Sequence, residues 1–172
     1  MKTKNISWNE VMKGCRNIAD KIKLNKPKVI IGVSRGGCVI ATILSHMLGC
    51  EMGVVSCKRY QHRKNFSVKN TGKDAVWVND VKLDTDEIFT YETPWSNKRI
   101  AFHRAFSKDE AILVVDDIID DGVTMKFTLD WLKKTLPRNQ VEHVTLYSKI
   151  PCSSAVIYEF ISKNTWVKFP WE

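Results

Sequence analysis

VVDDIIDDGVT, from Val114 to Thr124, joins an apolar run to two adjacent carboxylates, then two more carboxylates and a glycine-containing turn. From Ala111 to Val115 (AILVV) every residue is apolar, without alternation, as in a parallel strand covered on both faces. Asp116 and Asp117 then fall at its carboxyl end, where parallel sheets gather ligands. Downstream, Met125, Leu129 and Leu132 recur at helical spacing, so a helix is expected over 123–135 with Asp120 to Thr124 at its N-terminus. Backbone N–H groups that lack intrahelical partners can hold a phosphate there. Acids beside an anion site are compatible if the ligand is a sugar phosphate, whose hydroxyls donate to the carboxylates while its phosphate rests on the N–H groups. A capping cluster would explain one or two acids at a helix start, not four in this order.

A second junction has the same grammar. Lys28 to Val33 (KVIIGV) reads as a strand, Ser34, Arg35, Gly36 and Gly37 as a loop, and Cys38 to Gly49 (CVIATILSHMLG) as an amphipathic helix. Glycines let backbone approach an anion, and Arg35 adds charge. The rest of the chain reads as helix 8–23, strand 28–33, helix 37–48, strand 53–59, strand 111–115, helix 123–135, strand 141–148 and short C-terminal strands. Such alternation predicts an α/β fold, a mainly parallel sheet flanked by helices, in a single domain over 1–172. Between 60 and 108 the reading is weaker. Ala75 to Val81 alternates as a half-buried strand, Glu87 to Thr93 is its expected partner, and Pro94 breaks the pattern, so a β-hairpin flap or insertion is expected.

The chain has 172 residues, 44% of them apolar, enough for one sizeable core. No apolar segment approaches the ~20 residues of a membrane span, and the charged opening MKTKNISWNE lacks the apolar core of a secretory signal, so a cytoplasmic location is expected. Five cysteines with no CxxC pair argue against a disulfide framework or a zinc site. Cys38 is read as a packing residue. The net charge of +8 suits anionic substrates or nucleic acid without choosing between them. Its densest cluster, Lys58 to Lys64 (KRYQHRK), suits a solvated loop, an anion-neutralising loop or, least, an RNA grip.

The Val114–Thr124 stretch resembles the PRPP-binding motif of type I phosphoribosyltransferases: a hydrophobic strand, two acids, two aliphatics, then Asp, a hydroxyl residue, Gly and a second hydroxyl residue. Asp121 stands where the family usually has Thr or Ser. SRGG resembles the family's pyrophosphate loop. Thr165 to Glu172 (TWVKFPWE) resembles the purine-binding hood of bacterial xanthine-guanine phosphoribosyltransferases, and Val144 to Pro151 (VTLYSKIP) resembles the strand whose lysine meets the purine 6-oxygen. Ile6 to Ile22 resembles the family's N-terminal helix. Lys168 and Phe169 depart from the more acidic or polar residues of the bacterial hood.

The resemblance implies Mg2+- and PRPP-dependent transfer of a phosphoribosyl group to a 6-oxopurine, giving the nucleoside monophosphate and pyrophosphate. It implies Asp120 as the catalytic acid–base near purine N7. Ser34, Arg35, Gly36, Gly37, Asp116, Asp117, Asp121, Gly122, Val123 and Thr124 would bind PRPP. Lys149, Trp166 and Val167 would meet the base within a hood over 149–172, and Asp117 and Glu172 the metal. A homodimer or homotetramer is the family's habit, with Trp95, Phe102 and Phe106 as candidate contacts. The rival is a PRPP- or nucleotide-binding regulator on the same fold. Asp121 and the altered hood favour the rival, whereas Asp116, Asp117, Asp120 and SRGG oppose it.

Overall fold

A computed structural model describes residues 2–22, 26–56, 89–93, 96–102, 109–152 and 154–172. The basic cluster Lys58 to Lys64, the strand expected over Ala75 to Val81, Trp95, Phe106 and most of the 60–108 region lie outside the described residues.

Helix α1 spans Trp8–Lys21 and begins with a capping box: Ser7 Oγ accepts from Glu10 N at 3.3 Å, and Glu10 Oε2 accepts from Ser7 N at 2.8 Å. Strand β2 (Val29–Ser34) leads into α2 (Gly36–Leu48), and β3 (Glu51–Ser56) returns parallel to β2. Strands β4 (Phe89–Thr93) and β5 (Ser96–Phe102) form an antiparallel pair at the sheet edge. Strands β6 (Ala111–Ile119), β7 (Gln140–Ser148) and β8 (Ala155–Phe160), with α3 (Val123–Thr135) between the first two, give among the described residues a seven-stranded sheet of order β4-β5-β3-β2-β6-β7-β8. Strands β1 (Lys2–Asn5) and β9 (Thr165–Lys168) make a separate parallel pair.

The unbroken apolar runs explain the layering. In β2 and β6, Ile30, Leu113 and Val115 pack with Val11, Cys15, Ile18, Ile40 and Leu44 of α1 and α2. Their neighbours Val29, Ile31, Ile112 and Val114 face the other way, onto Met125 and Leu132 of α3. A strand buried on both faces needs apolar side chains at every position, which is what AILVV supplies. Among the described residues no helix is long and apolar enough to cross a membrane.

Three expectations change. Strand β6 does not stop at Val115: it continues through both acids to Ile119, because β7 runs beside it with Asp116 opposite Thr145 and Ile119 opposite Ser148. Among the described residues the Phe89–Thr93 strand pairs with Ser96–Phe102, a strand the sequence did not show, and Ser96–Phe102 joins β3 in the main sheet. Strand β1 was not anticipated. Its polar sequence KTKN carries no strand pattern, and only pairing with β9 makes it one.

Candidate active site

Chain order places the site. From β2 the chain moves through α2 to β3 on one side, whereas β6 leads through α3 to β7 on the other, so the gap between β2 and β6 is a topological switch point. The Ser34–Gly37 loop and the Asp116–Asp117 pair meet there. A Cβ on Gly36 would fall 1.6 Å from Asp117 Oδ2, and one on Gly37 would fall 2.5 Å from the Val115 carbonyl oxygen. Glycine is needed because backbone and carboxylate occupy the space a side chain would take. The Ser34–Arg35 peptide is cis, and Arg35 is exposed.

Burial pushes the Asp116 carboxyl well above the usual carboxylate range, with the Asp117 charge adding to it. Asp117 is also raised, first by burial, with the nearby Glu172 carboxylate contributing. Opposing this, Asp117 N–H donates to Asp116 Oδ1 at 2.9 Å, and Ile118 N–H donates to Asp117 Oδ1 at 2.8 Å. The result is a sunken acidic pair with a third acid, from the C-terminus, within electrostatic reach.

After β6 the chain turns at Gly122, whose φ of 78° suits glycine and over which Ile150 Cδ1 packs. A shallow pocket of about 60 Å³, lined by Asp116, Asp120, Asp121, Gly122 and Thr124, opens at this turn, with room for a few waters or one phosphoryl group. Asp121 Oδ1 accepts the Val123 N–H at 3.1 Å, so a carboxylate already sits on a first-turn donor of α3. Lys149, at the end of β7, reaches across to Asp120 with Nζ 2.9 Å from Oδ1. The lysine side chain is 12% exposed and the aspartate 62%, so the pair opens to solvent on the carboxylate side.

The remaining base-binding candidates sit on β9. Trp166 is 51% exposed, whereas the Val167 side chain is 6% exposed and belongs to the core. The Val167 side chain points into the core, which leaves its backbone on the solvent side. Burial alternates along β9, so neighbouring residues cannot both face a ligand. The tail is held by rings: Trp171 stacks on Phe169 with centroids 4.6 Å apart, and Trp8 and Tyr147 flank the two. Phe169 is thus a core anchor. The hood is tied to β7 by the Ile161 N–H bond to the Ser148 carbonyl at 2.9 Å.

A family model for the phosphoribosyl transferase domain matches residues 6–172. The chain belongs to that family. It is 29% identical to a xanthine-guanine phosphoribosyltransferase of Idiomarina loihiensis over 172 residues, 97% of this chain and 85% of that protein. A purine phosphoribosyltransferase from Pyrococcus horikoshii superposes with a TM-score of 0.69 at 24% identity, covering 100% of this chain and 95% of that one. The Helicobacter pylori xanthine-guanine-hypoxanthine phosphoribosyltransferase superposes with a TM-score of 0.62 at 16% identity, over 99% and 93%. The fold is that of the type I family, with the Ser34–Gly37 and Asp116–Thr124 loops side by side at its switch point.

The Lys149–Asp120 ion pair was not legible in the sequence as a contact. The two residues are far apart in the chain and meet because β6 and β7 are adjacent and in register to their last residues.

Proposed function

We propose that the protein transfers a phosphoribosyl group from PRPP to a 6-oxopurine, releasing pyrophosphate, as a cytoplasmic homodimer or homotetramer. The Lys149–Asp120 pair carries this reading. A 6-oxopurine offers a carbonyl acceptor beside N7, and when N7 is protonated the edge is acceptor then donor. An ammonium next to a carboxylate complements that edge. Adenine puts an amino donor where the lysine needs an acceptor. The specificities printed in the names of the Idiomarina and Helicobacter enzymes agree with it.

In this mechanism Asp116 and Asp117 accept from the ribose hydroxyls, whose donation offsets the desolvation of the buried acids. The Val123 and Thr124 N–H groups receive the 5′-phosphate at the start of α3. Arg35 and the backbone of Gly36 and Gly37 face the leaving pyrophosphate. As the C1–O bond breaks, positive charge grows on the ribose, and the acids at the sheet's end lie where it develops. Asp120 takes the N7 proton as the base becomes a nucleophile, and Lys149, released from Asp120, donates to the 6-oxygen. Trp166 offers a free ring face for stacking.

The donor set suits Mg2+: Asp117 and Glu172 would hold it through hard carboxylate oxygens whose mutual repulsion a cation would relieve. When bound, Mg2+ would supply positive charge against the departing pyrophosphate.

The rival, a non-catalytic PRPP or nucleotide sensor, is favoured by Asp121, whose carboxylate holds a donor that the phosphate needs. Steady-state turnover with a Lys149→Met variant separates readings of the base site. Loss of roughly 10²-fold or more in kcat/KM for guanine, xanthine and hypoxanthine, with PRPP affinity kept, is expected for a polar contact removed from a site built around it. Unchanged turnover would remove Lys149 from base recognition.

A further inference from the structure

Away from the switch-point loops, the connection between β7 and β8 brings a thiol to an imidazole. Cys152 Sγ lies 3.4 Å from His143 Nε2, and Ser154 Oγ lies 3.7 Å from the same sulfur. The Cys152 carbonyl accepts from Ala155 N at 3.3 Å, which fixes the turn. His143 stands in β7 opposite Val114 of β6 and Ala155 of β8, and is 4% exposed. Burial lowers its pKa; Lys133 of α3 adds to the lowering and Glu142 opposes it. The ring is therefore neutral at pH 7, and with its proton on Nδ1 the Nε2 lone pair accepts the Cys152 S–H.

The other described cysteines lack this arrangement. Cys15 is buried and its thiol is pushed up to about 12. The Cys38 thiol is pushed up to about 11 by burial, with Asp116 and Asp117 adding to it, and Cys50 is raised by burial too. Burial that keeps a thiol protonated slows its attack, and what sets Cys152 apart is the imidazole within reach of its sulfur. Phosphoribosyl transfer as described above makes no use of the pair.

We propose that Cys152 is a base-assisted nucleophilic thiol, oxidised by hydroperoxides to the sulfenic acid with His143 as the proton acceptor. The S–H proton passes to Nε2 as sulfur attacks a peroxide oxygen. An S–O bond forms, the O–O bond breaks, sulfur loses two electrons, and the departing hydroxide or alkoxide takes the proton back from the imidazolium. The reaction places a peroxide-sensitive position on the connection that carries Lys149, and it stands whether or not the transferase reading does.

The test is to treat the reduced full-length protein with hydrogen peroxide and dimedone, and separately with iodoacetamide, and to follow each cysteine by peptide mass spectrometry. Cys152 is expected to react on the order of tenfold faster than Cys15, Cys38 and Cys50, and a folded His143→Asn variant to slow it by a similar factor. Labelling of Cys152 no faster than Cys38, or undiminished in folded His143→Asn, overturns the proposal. Should that variant not fold, the wild-type pH profile decides. Assisted reaction persists below the free-thiol range, whereas a rate that falls off below a free thiol's pKa of about 8.5 overturns it.

Discussion

At the scale of single residues, Asp121 most distinguishes this chain from its family's pattern. Its carboxylate accepts the Val123 N–H at the mouth of the pocket, so a 5′-phosphate bound as proposed would have to displace an anion already seated on that donor. Asp121→Thr restores a neutral hydroxyl and is expected to tighten PRPP binding by about tenfold or more, the equivalent of roughly 1.4 kcal/mol, as read by calorimetric titration. An unchanged or weaker Kd would mean that the carboxylate does not compete. At this scale the sequence was informative about identity and mute about contact. Four acids in a fixed order raise the expectation of a sugar-phosphate site, yet nothing in their spacing told that Asp120 would pair with Lys149, since that depends on which strand lies beside β6.

At the scale of elements, two junctions make the site, and Gly36 is where they touch. A methyl group there would overlap the Asp117 carboxylate, a side chain held by the Ile118 N–H. Gly36→Ala is expected to displace Asp117 and weaken Mg2+-dependent PRPP binding by about tenfold or more while circular dichroism stays native, since the clash is with a side chain and not with a strand. Native binding by this variant would show that the loop and the acid are not coupled. The helices were legible because apolar spacing is a local signal, and the structure adds the Ser7–Glu10 box that starts the first of them. The end of β6 was not, because charged residues ordinarily mark a strand's exit. Here the adjacent β7, buried from His143 to Ser148, carries the ladder past them. Strand β1 was invisible for the same reason: its pairing partner lies at the opposite end of the chain.

For the whole molecule, the two ends of the chain are tied together, with Glu172 within electrostatic reach of Asp117. Strand β1 pairs with β9, Lys4 lies over the Tyr147 ring and ion-pairs with Glu159, and Trp8 meets Trp171 next to Glu172. Trp171→Ala removes one of the two inner rings of the Trp8–Trp171–Phe169–Tyr147 cluster. Because Trp171 is only partly buried, a loss of about 2 kcal/mol is expected, below the roughly 3–5 of a fully buried Trp→Ala. Mg2+ affinity should fall with it as Glu172 loses its anchor. Thermal melts with and without Mg2+ would check both, and a stability loss without any change in Mg2+ response would detach the tail from the metal. Composition and alternation made the three-layer α/β architecture readable, because runs buried on both faces leave little choice of layering. Which side chain of TWVK faces outward was less readable, and Val167 went inward.

Pyrophosphate release from PRPP and Mg2+, measured with guanine, xanthine, hypoxanthine, adenine, uracil and orotate in turn and with Asp120→Asn beside the wild type, bears on all three scales. Release is expected with one or more of the 6-oxopurines and not with adenine or the pyrimidines. The substitution should lower it by roughly 10²–10⁴-fold, the usual worth of a positioned acid–base. Absence of release with every base, while PRPP or a nucleotide still binds, would contradict the transferase reading and leave a sensor on the same fold.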